Sequence, residues 1–345
     1  MGFAMFFYVD LLSPHIRYHR LSLSCGLEMV HYIRLPCIHM YPRIALTSTI
    51  DHAFACLLLS DRLESLQTDR PSMIASSLEK QLKAALESRE VRNIRRSLPP
   101  SADTALVDFS SNDYLSLSKS SELRARFLEK LGSTKQILGS GGSRLLVNGS
   151  AHANLEDRLR IFFSRTDAAP QPRPSSLSIV TLDALLFNSG FDANVGFFAC
   201  VPQPGDFIVY DEHIHASVHD GMRMSRARSL PFKHNSVEDL EKIFLGLKNE
   251  HPELVNGRGS VFIAVEGLYS MDGTVSPLAD IIQIAESAFP NSNAYVSVDE
   301  AHSTGIYGHS GRGLVNLLGL QARVFARLHT FGKALAGTGG ELISV

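Results

Sequence analysis

The chain carries no excess of one charge: 33 Lys and Arg stand against 35 Asp and Glu, a formal net charge of −2 over 345 residues. So even a balance gives no field for holding nucleic acid or an anionic membrane surface through bulk electrostatics. Cysteine is sparse, and Cys25, Cys37, Cys56 and Cys200 form no C-x-x-C pair. That argues against a disulfide scaffold, a zinc ribbon or a thioredoxin-like site and reads as reduced thiols. No uncharged apolar run reaches the ~18 residues of a membrane span. A GxxxxGK[ST] phosphate loop, a GxSxG nucleophile elbow and an HExxH metal helix are all missing, and there is no internal repeat. The glycines at 139–142 do not fit GxGxxG, which leaves a dinucleotide-binding fold with little support.

What is present reads as a soluble globular protein. Apolar residues make up 44% and charged residues 20%, enough to bury a sizeable core. At roughly 150 residues per domain the length fits two domains, or one large α/β domain with appendages. Residues 1–72 differ from the rest. They hold three of the cysteines and five histidines, and the first lysine is Lys80. This stretch reads as an N-terminal extension, either a targeting segment or a start placed upstream of Met73. The next stretch, 73–150, is an N-terminal helix followed by a glycine-rich segment, and 151–345 is the main domain, with a Pro/Ser-rich insertion at about 165–180. The cytoplasm is the expected compartment, with mitochondrial or peroxisomal targeting as the alternatives, although no C-terminal peroxisomal tripeptide is present.

Leu78, Leu82, Ala85 and Leu86 recur at helical spacing, and Pro99-Pro100 is placed to stop that helix. DFSSNDYLSLS (108–118) reads as a short strand and turn, and 153–163 as a helix. Strands are expected at 207–211, 260–266 and 294–299. Helices are expected at 236–248 and 277–288, the second with Ser276 as its N-cap. Such alternation predicts an α/β fold with a largely parallel sheet.

Three segments carry chemistry. His213, His215 and His219 form an H-x-H-x3-H cluster with metal-like spacing, although packing or stacking is the commoner use of such histidines. Ser297–Val298–Asp299 is an apolar strand running into Asp299 and then His302, and ligands in open parallel sheets sit at the carboxyl ends of strands. Lys333 lies among small residues in Thr330–Gly340. Desolvated there, it would have a lowered pKa and a neutral, nucleophilic amine.

Taken together, DFSSNDYLSLS, GSGGSR (139–144), FNSGFDANVG (187–196), DEHIHASVHDG (211–221), EGLYSMDGTVSPL (266–278), VDEAHSTGIYGHSGRG (298–313) and HTFGKALAG (329–337) closely resemble, in order, the α-oxoamine synthase family of pyridoxal 5'-phosphate enzymes. The resemblance covers roughly Ser77 to Gly340. It implies a fold-type I transferase, a large domain whose mostly parallel sheet is flanked by helices, acting as a homodimer. It also implies a residue-by-residue assignment. Lys333 bonds the cofactor and moves the substrate proton. Asp299 pairs with the pyridine nitrogen. His302, with Ser270 nearby, faces the phenolic oxygen, and His215 stacks on the ring. Gly190 and Phe191 N–H groups cradle the phosphate together with Thr330, and Arg96 and Asn112 face the substrates. The implied reaction joins an amino acid to an acyl-CoA with loss of CO2, L-alanine and pimeloyl-CoA being the expected pair. A sister synthase with other substrates is the alternative. The family continues past the lysine into a small domain, whereas this chain ends twelve residues after Lys333. The expectation is therefore a large domain cut short there, either active or an inactive cofactor-binding fragment.

Overall fold

The runs FIVYD, VFIAVE and AYVSVD are rich in β-branched and aromatic residues, and each ends on a carboxylate. In a computed structural model of the chain they lie within one seven-stranded sheet. The structure describes residues 76–97, 107–135, 141–147, 149–164 and 183–344. The extension 1–72 and the insertion 165–180 fall outside these residues.

The strands are β1 (Asp183–Phe187), β2 (Phe207–Asp211), β3 (Arg228–Phe232), β4 (Val261–Glu266), β5 (Ala294–Asp299), β6 (Ala326–Thr330) and β7 (Gly340–Ser344). Their order across the sheet is β1-β7-β6-β5-β4-β2-β3. From β6 through β3 every pairing is parallel, while β7 runs antiparallel between β1 and β6. The helices are α1 (Ser77–Val91), α2 (Ser121–Ser133), α3 (Ser150–Ser164), α4 (Gly190–Cys200), α5 (Ala216–Met224), α6 (Val237–Glu250), α7 (Pro252–Val255), α8 (Leu278–Ala288) and α9 (Leu314–Leu317).

Both faces of the sheet are covered, as parallel strands require. Phe207, Val209, Ile263 and Val265 pack with Leu240, Phe244 and Leu247 of α6 and with Ile281, Ile282 and Ala285 of α8. Their neighbours along the strands, Ile208, Phe262 and Ala264, point the other way and meet Phe197 and Phe198 of α4 and Val218 and Met222 of α5. The two-residue period of the strand places alternate side chains on opposite layers. At the β1 edge, Arg144 of the glycine-rich segment forms a bidentate pair with Glu156 of α3. The Glu156 carboxylate also accepts the Leu186 N–H at 2.8 Å, so one half-buried acid ties helix, loop and strand.

The chain divides into two compact units, one of Ser13–Asp108 and one built from Phe109–Val345. Within the first, α1 opens on a capping box made by Ser76 and Glu79. It ends at Val91, well before the prolines expected to stop it. The left-handed Asn93 (φ 54°) turns the chain out, with its N–H on Glu90 O. No helix among the described residues is long and apolar enough to cross a membrane.

Two local expectations are corrected. No strand forms within the described part of 108–118. Asp113 instead accepts the Leu117 N–H at 2.9 Å and closes the segment into turns. Ser276 is not the N-cap of α8, a position taken by Pro277 with no side-chain bond. The Ser276 backbone N–H is committed to Gly267 O and its hydroxyl is buried without a partner.

Candidate active site

In the parallel part of the sheet the strands all point their carboxyl ends at one edge, and the chemistry-bearing residues collect there. Asp211, Glu266, Asp299 and Thr330 are the last residues of β2, β4, β5 and β6. His215 begins the turn into α5 as its N-cap. His302 and Lys333 follow β5 and β6 within three residues.

Lys333 Nζ lies 2.7 Å from His302 Nε2. Burial pulls the lysine pKa below its ordinary value, and the acidic groups of Asp299 first and Glu266 second, the latter only where it is ionised, offset part of that pull. A more easily freed amine is what a lysine nucleophile requires. His302 is lowered to about 4 by burial and by the lysine charge, with Asp299 opposing, so its ring is neutral near pH 7. On its far side, His302 Nδ1 is 2.8 Å from the Tyr114 hydroxyl, which lies 3.0 Å from Asn112 Oδ1.

Asp299 is fixed from two sides. Its Oδ1 accepts the Ala301 N–H at 2.9 Å, and its Oδ2 accepts the Asn194 side-chain amide at 2.7 Å. The same buried amide donates its other hydrogen to Ser217 Oγ at 2.9 Å. Ser217 Oγ in turn lies 2.7 Å from His215 Nδ1, whose lone pair also accepts the Ser217 N–H. Nδ1 is therefore the acceptor, and the proton of neutral His215 sits on Nε2. Burial lowers the His215 pKa, Asp299 opposes and Lys333 adds to the lowering. The residue expected to meet a ring nitrogen and the one expected to stack on the ring are thus tied together through Asn194. The Phe191 ring meets His215 edge-on at 6.1 Å.

Glu266 pairs in register with Asp299 and is 3% exposed. Burial, then the Asp299 charge, raise its pKa to about 8 while Lys333 opposes, so it holds a proton at neutral pH. The backbone N–H groups of His215 and Ser270 both bond its carboxyl group.

At the start of α4, the Ser189 hydroxyl caps the Asp192 N–H. The Gly190 and Phe191 N–H groups have no partner inside the helix, as first-turn groups cannot, and the helix dipole adds partial positive charge there. Gly190 is needed for closeness: a Cβ would stand 3.0 Å from Thr330 Cβ and 3.2 Å from its Oγ1. Gly340 is just as tight, with a Cβ 2.6 Å from Gly190 N. Two N–H donors thus lie beside the Thr330 hydroxyl, which is itself held only by long 3.4 Å contacts to Gly339 O and Gly332 N. The donor set matches a phosphate, while Asp299, His215 and Lys333 match a charged pyridine ring bearing an aldehyde.

Of the residues singled out in the sequence, Lys333, His302, Asp299, His215, Gly190, Phe191 and Thr330 converge on this edge. Asn112 joins them through Tyr114. Ser270 contributes a backbone N–H to Glu266 and has an exposed side chain. Arg96 is an exposed residue of the Ser13–Asp108 unit. Asn194, Ser217, Glu266 and Tyr114 were missed. All four stand inside matched motifs, but nothing in the sequence alone gives them a partner.

The metal-like H-x-H-x3-H spacing does not converge. His215 is occupied by Ser217, and His219 sits edge-on to Tyr210 at 5.2 Å. His213 stacks on His234 at 4.1 Å and 18°. Among the described residues, His213, His234 and Asp272 do bring ligand atoms within 4.8 Å. Stacked rings hold their lone pairs in parallel planes, however, and the His234 nitrogens already face Asp211 (2.9 Å) and Thr274 (2.7 Å).

Comparison with known proteins agrees with this geometry. Residues 104–345 match the family model for aminotransferase class I and II. The 8-amino-7-oxononanoate synthase of Emericella nidulans is 47% identical over 80% of this chain and 63% of its own length. An aminoacyl transferase of Byssochlamys spectabilis is 39% identical over 70% of this chain and 48% of its own. A solved serine palmitoyltransferase variant from S. paucimobilis with a bound PLP–myriocin aldimine superposes with a TM-score of 0.60 at 26% identity, over 78% of this chain and 66% of that one. The chain spans between about half and two thirds of the length of these relatives. With its mostly parallel sheet, its strand-end lysine and aspartate and its matched sequence, the chain belongs to the aminotransferase class I and II family, where it is similar to α-oxoamine synthases.

Proposed function

We propose that the chain forms the pyridoxal phosphate-binding part of an α-oxoamine synthase, and that the whole protein joins L-alanine to a pimeloyl thioester to give 8-amino-7-oxononanoate, a step of biotin synthesis. The carrying observation is the convergence, on one sheet edge, of Lys333, Asp299, His215 and the Gly190–Phe191–Thr330 cradle. Bound there, pyridoxal phosphate supplies an electron-poor ring that accepts the electron pair left on the amino acid's α-carbon.

The protein's residues do the remaining work. Thr330 and the α4 N-terminus hold the phosphate. Asp299, its position set by Asn194 and Ala301, keeps a proton on the ring nitrogen, and His215 lies against the ring face. Lys333 would hold the cofactor through its amine, and that amine is placed to move the α-proton. Overall, amino acid and acyl-CoA give the amino ketone, CO2 and free CoA. The acyl–sulfur bond breaks, the carbon–carbon bond forms, and the carboxyl carbon leaves as CO2.

The Emericella nidulans relative supports alanine and a pimeloyl donor, and the serine palmitoyltransferase neighbour supports a serine-using sister reaction. The test begins with the visible absorbance of the purified protein plus pyridoxal phosphate, followed by borohydride reduction and peptide mapping. A label on Lys333 is expected, and a label elsewhere or no band in folded protein refutes the reading. Turnover of alanine, glycine and serine with several acyl-CoAs then separates the substrates. Absence of activity with alanine plus a pimeloyl donor removes the first choice.

A further inference from the structure

Tyr114 stands in a turn closed by Asp113, whose backbone carbonyl accepts the Ser116 N–H at 2.9 Å and whose Oδ1 accepts that of Leu117. The residue is 45% exposed, yet its hydroxyl touches two polar atoms, Asn112 Oδ1 at 3.0 Å and His302 Nδ1 at 2.8 Å. A phenol has one proton to give. The Asn112 carbonyl oxygen can only accept, so the proton goes there, and the phenol oxygen must accept from His302. That assigns the single proton of the neutral imidazole to Nδ1 and leaves the Nε2 lone pair facing Lys333 Nζ at 2.7 Å. Each contact then has one donor and one acceptor, running Lys333 to His302 to Tyr114 to Asn112.

We propose that Tyr114 is a positioning residue that, backed by Asn112, fixes the His302 tautomer and thereby holds the Lys333 amine at the sheet edge. The inference rests on the reading of Lys333 as the cofactor-bearing lysine, but the tautomer itself belongs to the protein alone. A plain packing role for Tyr114 would leave the proton on His302 where it is. A positioning role makes that proton depend on two side chains that never touch the lysine.

The test is a long-range ¹H–¹⁵N correlation on histidine-labelled protein without pyridoxal phosphate, near neutral pH. His302→Gln identifies the signal. Wild type is expected to show a protonated Nδ1 and a lone-pair Nε2. Tyr114→Phe keeps the ring and removes the hydroxyl, and both nitrogens should move toward the averaged shift of mixed tautomers. Asn112→Ala should move them the same way, because the freed Tyr114 proton can then turn to His302. An Nε2-protonated ring in wild type, or an unchanged pattern in Tyr114→Phe, overturns the proposal. In the loaded enzyme the same variant should lose about tenfold in kcat with KM nearly unchanged, the scale of one lost hydrogen bond. If neither protein binds the cofactor, the proposed function fails while the tautomer result, read without cofactor, still stands.

Discussion

Glu266 and Asp299 end adjacent parallel strands opposite one another, so two carboxyl groups share the edge that also holds the Lys333 amine. Both ionised, they would repel in a poorly solvated site; one answer is for a carboxyl group to keep its proton. Glu266 is the one raised, to about 8.

The sign of its pH dependence follows from linkage. A carboxyl group whose folded pKa lies above its unfolded value binds more protons when folded, so its contribution is complete below the unfolded pKa and is lost as pH rises toward 8. Glu266→Gln removes this titration. The cofactor-free variant should therefore gain in melting temperature relative to wild type as pH rises from 5 toward 8, read by thermal melts across that range. A gap that is constant with pH contradicts the assignment. His302 works in the opposite direction. Depressed to about 4, it favours the folded state above its unfolded pKa and withdraws that contribution as pH falls.

Gly190→Ala places a methyl group 3.0 Å from Thr330 Cβ. The helix start or the Thr330 side chain has to yield, at a cost of about 1 kcal/mol or more. Pyridoxal phosphate affinity should weaken by about tenfold or more, since hydrogen bonds to a charged phosphate are displaced. A fluorescence or absorbance titration measures the loss. Unchanged affinity would place the phosphate elsewhere.

Asn194→Ala removes the amide that serves both Asp299 and Ser217. Two buried acceptors lose their donor, and stability should fall by about 2 kcal/mol. The His215 tautomer and the spectrum of the bound cofactor should change together, because one side chain orients both groups. In a double-mutant cycle with Ser217→Ala the losses should not add. Additive losses would mean that the chain of bonds is incidental.

Lys333→Ala should abolish borohydride labelling and lower turnover by about a thousandfold or more, while noncovalent cofactor binding through the phosphate cradle persists. Equilibrium dialysis separates the two effects. Retained turnover in this variant would remove Lys333 from the chemistry.

Much of this site was legible because its residues sit in short local motifs. Asp299 and His302 are read from one strand end and Lys333 from one loop, while Gly190 and Phe191 came from the resemblance carried by FNSGFDANVG. The central strands announced themselves by composition, and three were expected within a residue of where they lie. Asn194 lies inside the matched FNSGFDANVG, but nothing local points to its role, because its partner is 105 positions away. Tyr114 was read within a short strand and turn over 108–118, whereas Asp113 accepts the Leu117 N–H and turns the backbone throughout that segment. Ser276 shows the same limit at a helix end. Its sequence suits a cap, but its backbone is already committed to Gly267.

The antiparallel insertion of β7 between β1 and β6 bears on the order of assembly. β1 precedes α4 and β7 follows the lysine loop, so almost the whole sheet-forming stretch is made before these two strands can meet. Pairings across such long loops form late in folding. On a ribosome, the nascent chain could complete β2 through β5 and their helices while the β1 edge waited for residues 340–344. Gly340 abuts the first amide of α4, which makes the anion cradle one of the last features to close. Capture of the cofactor would then report completion of the sheet, and its binding energy would act as a latch on the slowest pairing.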